Sequence, residues 1–321
     1  MTASLGRACG KVILLGEHAV VFGIPAIAVG IDRGASAVAT RGPAPSRLLV
    51  PEWDIDLAED DDHDLARAFS ALLRATGQPG SVRVEARADL PPGGGLGCSA
   101  ALGVAIARAL DPAADAPLTA NRAMAWERIF HGNPSGVDAA VAASGGCVLF
   151  QKGQDGLPNS IEPIRARGGL SLVIGHTGLA SSTKPMVEAV ARLRERRPEI
   201  VTKTFEGIHV LVKNARLAIE DRDHFALGRL MDLNQMLLSG LFLSTPEIEQ
   251  LCDLARGAGA LGAKLTGAGG GGSVVALVPN APVAARVLEA WEKAGYSGFA
   301  TRVAGSDVEV VAQAELELAE T

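Results

Sequence analysis

A cluster of glycines directly before an alanine-rich segment is the strongest structural constraint in this sequence. Glycine occupies positions 93, 94, 95 and 97, and the apolar spacing of residues 100–110 predicts a helix. Glycine lets the backbone approach a ligand closely, and the free N–H groups at a helix N-terminus attract anions. The sequence therefore predicts a phosphate-binding loop made of Pro92, Gly93, Gly94, Gly95, Leu96, Gly97, Cys98 and Ser99.

The same loop has a plainer interpretation as a flexible linker or a tight turn. A linker does not normally lead straight into a helix, which favours the phosphate-binding interpretation. The loop is not a P-loop, because no Gly-Lys-Ser/Thr follows it. It is not the dinucleotide fingerprint either, because Cys98 occupies the position of the third glycine.

Charged residues flank a short apolar run near the N-terminus. Residues 12–15 predict a buried strand, with Lys11 before it and Glu17 and His18 after it. Side chains at the ends of a buried strand can reach a cleft, which would make all three candidates for a functional site. A solvated lysine and an ordinary turn remain the alternative on residue chemistry alone.

Glu127 and the loop at residues 131–138 supply oxygen atoms suited to a metal ion. Glu127 lies near the end of a helix predicted over residues 119–130, and Asp138 ends the loop. A carboxylate and a serine hydroxyl are a suitable pair of hard oxygens for Mg²⁺, which keeps most of its waters. Asp138 also has a structural alternative, since Ser135-Gly-Val-Asp138 has the form of a capping box. The two roles do not exclude each other.

Three motifs in order resemble those of the GHMP kinase family. They are Gly-Glu-His at 16–18, Pro-x-Gly-x-Gly-Leu-Gly-x-Ser-Ala at 91–100, and Lys-Leu-Thr-Gly-Ala-Gly-Gly-Gly-Gly at 264–272. The string His-Gly-Asn-Pro-Ser-Gly-Val-Asp at 131–138 is typical of one branch of that family. The resemblance covers residues 11 to about 277. The family usually has alanine where this chain has Gly94 and serine where it has Cys98.

The resemblance implies an α+β fold of two domains, with the active site in the cleft between them. The N-terminal domain, residues 1–165, would be the α+β ATP-binding domain, and residues 166–321 would form a ferredoxin-like C-terminal domain. The implied activity is ATP-dependent phosphotransfer to an alcohol group of a small molecule. Another member of the family with a different substrate remains an alternative. A non-catalytic sensor on the same fold is a further one, although such a protein is expected to lose catalytic groups.

The resemblance also assigns roles to individual residues. ATP would place its phosphates over the loop at 93–99, with Mg²⁺ held by Ser99 and Glu127. Asp138 would be the catalytic carboxylate, and Lys11 would lie near the reacting oxygen. Substrate binding is assigned to Glu17, His18, Ser135, Gly136, Asp138, Thr183, Thr266, Gly267 and Ala268. The plain alternatives are a glycine-rich turn at 264–272 and an ordinary helix cap at Thr183.

Composition excludes several other classes of protein. The net charge of −6 over 321 residues argues against a nucleic-acid-binding surface, which usually needs a basic stripe. Four cysteines without a CxxC pair argue against a disulfide framework or a structural zinc site. No run reaches the roughly 18 apolar residues of a membrane span. We therefore expect a cytoplasmic protein without a nucleic-acid or membrane partner, and because family members are often dimers, the resemblance allows a homodimer.

Helices and strands are predicted in both halves of the chain, which favours the α+β class. We expect Thr119 to be the N-cap of its helix, and residues 42–64 to form an excursion or an edge strand. The predicted helices cover 65–75, 100–110, 119–130, 185–196, 204–220, 224–238, 246–256 and 283–293. The predicted strands include 12–15, 26–29, 35–39, 82–86, 148–150, 170–174, 274–278, 299–303 and 308–311.

Overall fold

The structure, a computed structural model, describes residues 3–90, 93–132, 134–154, 157–179 and 183–303. The strands are β1 (Ser4–Leu15), β2 (Ala26–Arg41), β3 (Arg47–Val50), β4 (Ile55–Ala58), β5 (Val82–Ala88), β6 (Cys147–Gln151), β7 (Ser160–Ile164), β8 (Leu170–His176), β9 (Gly262–Thr266), β10 (Ser273–Leu277) and β11 (Ser297–Val303). The helices are α1 (Asp64–Thr76), α2 (Cys98–Leu110), α3 (Ala116–His131), α4 (Val137–Ser144), α5 (Thr183–Arg196), α6 (Pro198–Glu220), α7 (His224–Gly240), α8 (Pro246–Gly257) and α9 (Ala281–Lys293). Within the described ranges, no helix is both apolar and long enough to cross a membrane.

The first sheet has seven strands and is organised around the long strand β2. β1 pairs antiparallel with β2 along most of its length, while β5 and β6 pair with successive parts of β2. β3 and β4 extend the sheet beyond β5, and β7 extends it beyond β6. Residues 42–64, predicted as an excursion or an edge strand, thus contain β3 and the edge strand β4.

The second sheet has four antiparallel strands in the order β11-β8-β10-β9. Numbered along the chain within this sheet, the order is 4-1-3-2, with helices before the second strand and between the third and fourth. This is the split βαβ arrangement of a ferredoxin-like domain. The predicted α+β fold is confirmed, and the boundary between residues 165 and 166 stays a prediction, although it falls between β7 of the first sheet and β8 of the second.

Helix α2 lies unusually close to strand β1, which fixes the position of the glycine loop before it. A Cβ atom built on Gly6 of β1 would lie 2.6 Å from the backbone nitrogen of Ala109 in α2. On the other side of α2, a Cβ on Gly103 would lie 2.8 Å from the ring of Trp126 in α3. Only glycine fits at such approaches, and interiors packed to this density transmit small changes. The end of α2 is therefore held against the start of β1, and the loop before α2 is held by a hydrogen bond of 2.8 Å from the Lys11 N–H to the Leu96 carbonyl oxygen.

Two local predictions differ from the structure. Thr119 is not an N-cap, because α3 begins at Ala116 and the side chain of Asp115 accepts the hydrogen bond from the Leu118 N–H. Pro at the second helical position suits this earlier start, since its missing N–H would have no partner there. The first two strands are also longer than predicted: β1 begins at Ser4, and β2 runs without a break from Ala26 to Arg41, where two strands at 26–29 and 35–39 are predicted. The strand predicted at 308–311 lies outside the described residues.

Candidate active site

The first glycine loop has the backbone conformation that its sequence predicts. Gly93, Gly95 and Gly97 have φ angles of 73°, 74° and 72°, a left-handed region that favours glycine. Gly97 is the N-cap of α2, so the N–H groups of the first helical turn face the loop. This arrangement suits a phosphate group. Pro92 lies outside the described residues.

Cys98 turns its side chain away from the loop. Its thiol is buried and donates a 3.7 Å hydrogen bond to the Leu90 carbonyl oxygen. Burial raises the pKa of this thiol to about 11, so the thiol is neutral near pH 7. Cys98 can therefore offer a phosphate only its backbone N–H.

Ser99 and Glu127 meet where the first turn of α2 faces α3. Ser99 Oγ donates to Glu127 Oε1 at 2.6 Å, and Trp126 Nε1 donates to Ser99 Oγ at 3.2 Å. Glu127 is only 3% exposed, and burial is the main reason that its pKa rises to about 7; the Ser99 hydrogen bond opposes that rise. Glu127 lies one turn before the end of α3, which runs on to His131. The pair offers two oxygens to a cation, and binding one would replace the proton that burial favours.

Lys11 and Asp138 form an ion pair beside that carboxylate. Lys11 Nζ lies 2.9 Å from Asp138 Oδ1, and Lys11 is buried while a third of the Asp138 side chain is exposed. The charges of both residues also act on Glu127, because Asp138 raises its pKa and Lys11 lowers it. Lys11, Ser99, Glu127 and Asp138, all predicted from the sequence, thus lie in one cluster.

The capping-box alternative for Asp138 is wrong in this structure. The N-cap of α4 is Gly136, with φ of 89°, and not Ser135. Ser135 Oγ accepts a hydrogen bond of 3.4 Å from the Val137 N–H, while the Asp138 carboxylate turns to Lys11. The carboxylate at the start of α4 is therefore available for chemistry and still benefits from the helix dipole.

The second glycine loop packs directly on the first. A Cβ on Gly95 would lie 3.3 Å from the Thr266 carbonyl oxygen and 3.8 Å from the Cα atom of Gly267. Ser273 Oγ, at the end of the second loop, donates to the Gly94 carbonyl oxygen at 2.7 Å. The two loops therefore meet as backbone against backbone, and the φ angles of Gly95 and Gly267, 74° and 90°, favour glycine on both sides.

Thr266 joins strand β9 to strand β1. Its Oγ1 accepts from the Ile13 N–H at 3.0 Å and donates to the Ile13 carbonyl oxygen at 3.1 Å. The hydroxyl thus both donates and accepts a hydrogen bond inside the protein. The contact of Thr266, Gly267 and Ala268 with the substrate stays a prediction. The backbone groups of this loop are better suited to that contact than the Thr266 hydroxyl, which already bonds to Ile13.

His18 contacts the second glycine loop, and α5, which begins at Thr183, packs against the same loop. His18 Nε2 lies 2.7 Å from the Ala268 carbonyl oxygen, and burial lowers the pKa of the ring, so the neutral ring carries its proton on Nε2. Thr183 begins α5 and is exposed. One turn later in α5, Met186 Sδ lies 2.8 Å from where a Cβ on Gly270 would stand, so the helix covers the second glycine loop.

Glu17 does not face open space. Its side chain is 0% exposed and pairs with Lys264 Nζ through Oε1, while Oε2 accepts a 3.2 Å hydrogen bond from Asn234 Nδ2. The sequence prediction did not include Lys264 or Asn234 among the functional residues. The available signal was a lysine inside the apolar strand 262–266 and a polar pair, Asn234 and Gln235, inside an apolar helix.

Comparison with known proteins identifies the family. The model of the GHMP kinases N terminal domain matches residues 64–146, and the model of the GHMP kinases C terminal matches residues 215–297. Mevalonate kinase of Thermococcus gammatolerans is 34% identical over 86% of this chain and 89% of that protein. Mevalonate kinase of Aeropyrum pernix is 35% identical over 94% of this chain and 96% of that protein. The chain therefore belongs to the GHMP kinase family, in its mevalonate kinase branch.

Solved structures agree with this assignment. A crystal structure of L. major mevalonate kinase in complex with R-mevalonate superimposes with a TM-score of 0.80 at 26% identity, over 96% of this chain and 97% of that one. The Methanococcus jannaschii mevalonate kinase has the same TM-score of 0.80 at 22% identity, over 94% of this chain and 98% of that one, a likeness of fold.

Proposed function

We propose that this chain transfers the γ-phosphate of ATP to the primary (C5) hydroxyl of mevalonate, producing 5-phosphomevalonate for isoprenoid biosynthesis. The observation that carries the proposal is the Lys11–Asp138 ion pair, which lies beside the Ser99–Glu127 pair at the N-terminus of α2. An anion site, a pair of hard oxygens and a carboxylate next to a lysine are the parts that phosphoryl transfer needs. The mevalonate kinase relatives support this choice of acceptor.

In this proposal the phosphates of ATP lie over residues 93–99. Ser99 and Glu127 would hold Mg²⁺, which neutralises phosphate charge when bound. Their chemistry fits, because Mg²⁺ prefers oxygen ligands and is usually held by one or two carboxylates together with substrate phosphates and water. The buried carboxylate of Glu127, with its raised pKa, is ready to exchange a proton for a cation.

Asp138 and Lys11 would act on the acceptor hydroxyl. Asp138 accepts the proton of this hydroxyl or orients it, and Lys11 stabilises the negative charge on the attacking and bridging oxygens. Burial of Lys11 strengthens that stabilisation, because little water screens its charge. Electrostatic positioning of this kind supplies most of the catalysis in phosphoryl transfer.

The substrate pocket that we propose lies between the start of α4 and the second glycine loop. It is bordered by His18, Ser135, Gly136, Asp138, Thr183, Thr266, Gly267 and Ala268, with Glu17 directly behind His18. Support comes from the contact between His18 and Ala268 and from α5, which begins at Thr183 and lies over the loop.

A coupled ADP-release assay with Mg-ATP tests the function. We expect turnover with mevalonate and none above background with phosphomevalonate, homoserine or galactose. Turnover with one of the other three would keep the phosphate site and refute the substrate. Silence with all four would favour the non-catalytic sensor, and equilibrium binding of ATP by calorimetry would then separate a sensor from an inactive preparation.

Two further properties belong to the proposal. We propose a homodimer, because Phe225, Leu233 and Met236 are exposed apolar residues within a sector of about 80° on α7, at 100° per residue. Met236→Glu should then lower the molar mass measured by light scattering to that of one chain, and an unchanged mass would argue against this face. We also propose a cytoplasmic location, which agrees with the four free thiols.

A further inference from the structure

Several energetically costly features meet where the turn after β1 touches β9 and α7. Glu17 and Lys264 form an ion pair in which both side chains are 0% exposed. Burial raises the pKa of Glu17 and lowers that of Lys264, so the environment opposes the charge of both groups. A buried ion pair is weak evidence for stability, because the cost of removing both charges from water offsets most of the attraction. Stability alone therefore does not explain this pair.

The neighbours of the pair carry costs of their own. Among the residues that the structure describes, Asn234 Oδ1 and His18 Nδ1 are buried without a hydrogen-bond partner. The Asn234 amide is oriented by Glu17, because only its nitrogen can donate to the carboxylate. His18 has a φ angle of +60°, which a residue with a Cβ rarely adopts. Such costs persist where surrounding contacts enforce them, and they concentrate at functional sites.

The contacts around His18 show that these unfavourable features hold its backbone in place. Glu17 is the residue before His18, and its carboxylate is held by Lys264 on β9 and by Asn234 on α7. On β9, Lys264 and Thr266 are two residues apart and so share one face, and Thr266 holds Ile13, near the end of β1. The chain leading into His18 is thus held at Ile13 and at Glu17 by one strand of the second sheet.

The His18 ring is the part of this turn that reaches the site. Its Nε2 donates to the Ala268 carbonyl oxygen at 2.7 Å, within the second glycine loop. This hydrogen bond leaves the His18 ring few alternative rotamers as long as the backbone of His18 stays in place. If the backbone returned to negative φ, the ring would leave this carbonyl oxygen.

We propose that Glu17, Lys264 and Asn234 are positioning residues, which hold His18 in its left-handed conformation at the substrate side of the cleft, and that Glu17 itself does not contact the substrate. The inference rests on the proposed function for the identity of that substrate. Glu17 and His18 are adjacent in the chain but have different roles, because Glu17 acts on the substrate only by positioning His18.

Lys264→Met is the principal test, because it keeps the length of the side chain and removes its charge. We expect KM for mevalonate to rise about tenfold or more, with kcat within about threefold of the unmodified enzyme and KM for ATP unchanged. Adding Glu17→Gln to this variant should raise the thermal midpoint, because no unpaired charge then remains buried, while KM for mevalonate stays raised because the contact between β9 and position 17 is still missing. A folded Lys264→Met enzyme whose KM for mevalonate stays within twofold would overturn the proposal.

Glu17→Gln alone keeps the inference testable if Lys264→Met does not fold. Glutamine retains an oxygen for Lys264, so we expect a rise in KM for mevalonate that is smaller but still above twofold. The matched control is Thr301→Val, which removes the hydrogen bond between Thr301 and Asp32, a contact that also joins the two sheets and does not involve His18. The control should lower the thermal midpoint and leave KM unchanged. An equal rise of KM in the control would show that any loosened contact between the sheets has this effect, and would refute a specific positioning role.

Hydrogen exchange separates this inference from the proposed function. In Lys264→Met, amides in residues 16–24 should exchange at least tenfold faster, while amides of α1 exchange as in the unmodified chain. If the unmodified protein does not phosphorylate mevalonate, the function is wrong and the exchange result still decides the positioning role. Unchanged exchange in 16–24 would refute that role whatever the activity.

Discussion

Replacing Glu127 with glutamine would show how much folding stability this protein gives up for a buried carboxylate. Burial raises the pKa of Glu127 from 4.5 to about 7. Between these two values the folded protein keeps a proton that the unfolded chain releases, so the stability of the folded state falls as the pH rises through this window. The difference between the two pKa values corresponds to about 3 kcal/mol, which is fully lost above pH 7. Glutamine is neutral at every pH and can still accept the Ser99 hydrogen bond.

Urea unfolding without Mg²⁺ measures this difference. We expect Glu127→Gln to exceed the unmodified protein by about 3 kcal/mol in unfolding free energy at pH 8, and to equal it near pH 4.5. Glu206→Gln on the exposed side of α6 is the control, since it removes a carboxylate that is already in water. Parallel pH dependences for Glu127→Gln and the unmodified protein would refute the account of a buried carboxylate with a raised pKa.

The same variant should be impaired in catalysis. In the proposed function, glutamine cannot replace a carboxylate as a ligand, so the Mg²⁺ concentration for half-maximal rate should rise on the order of tenfold or more. A variant that is more stable and less active would show that the Glu127 carboxylate lowers folding stability and is needed for activity. An unchanged Mg²⁺ titration would remove Glu127 from the metal site and leave the stability argument intact.

Three further predictions follow from the site. Asp138→Ala should lower kcat by about 10²-fold or more if the carboxylate accepts the hydroxyl proton, and a folded variant with little loss of rate would remove Asp138 from the mechanism. In the unmodified enzyme, a proton on Glu127 competes with Mg²⁺, so the half-maximal Mg²⁺ concentration should fall about tenfold per pH unit up to about pH 7 and then level off; a titration that does not vary with pH would contradict this. Thr266→Val should lower the unfolding free energy by about 2–4 kcal/mol, because the buried N–H and carbonyl groups of Ile13 both lose their partner. Thr266→Ser, which keeps the hydroxyl, should lose much less, and equal losses would assign the effect to the methyl group.

The sequence predicted the parts of the site that depend on local chain geometry. A glycine run followed by a helix specifies its own conformation, so the loop at 93–97 and the start of α2 could be predicted from neighbouring residues. The roles predicted for Lys11, Ser99, Glu127 and Asp138 came from the family resemblance and stay predictions. Their distances in the structure agree with one cluster, whereas composition and periodicity alone left a solvated lysine and a capping box as alternatives.

Contacts between distant segments could not be predicted in the same way. Glu17 is 217 residues from Asn234 and 247 residues from Lys264, and no local pattern states which polar residues meet across such separations. A lysine inside an apolar strand and an asparagine inside an apolar helix each indicate a buried polar group that needs a partner. Only the fold shows that the two share a partner, because it brings β9 and α7 together against the end of β1.

The low aromatic content, 4%, has a consequence for the site as well as for the core. With glycine and alanine at their contact, α2 and β1 approach to backbone distance, and the chain then connects them directly: the Lys11 N–H donates to the Leu96 carbonyl oxygen at 2.8 Å. A Cβ on Gly97 would lie only 3.3 Å from the Cβ atom of Lys11, so the lysine and the phosphate loop pack in direct contact, and the hydrogen bond between Lys11 and Leu96 opposes their separation. Their relative position is therefore set by backbone contacts, which have fewer alternative conformations than side-chain contacts. In the proposed function, small residues in this core thus serve catalysis, because in-line phosphoryl transfer depends on holding the reacting groups at fixed distances.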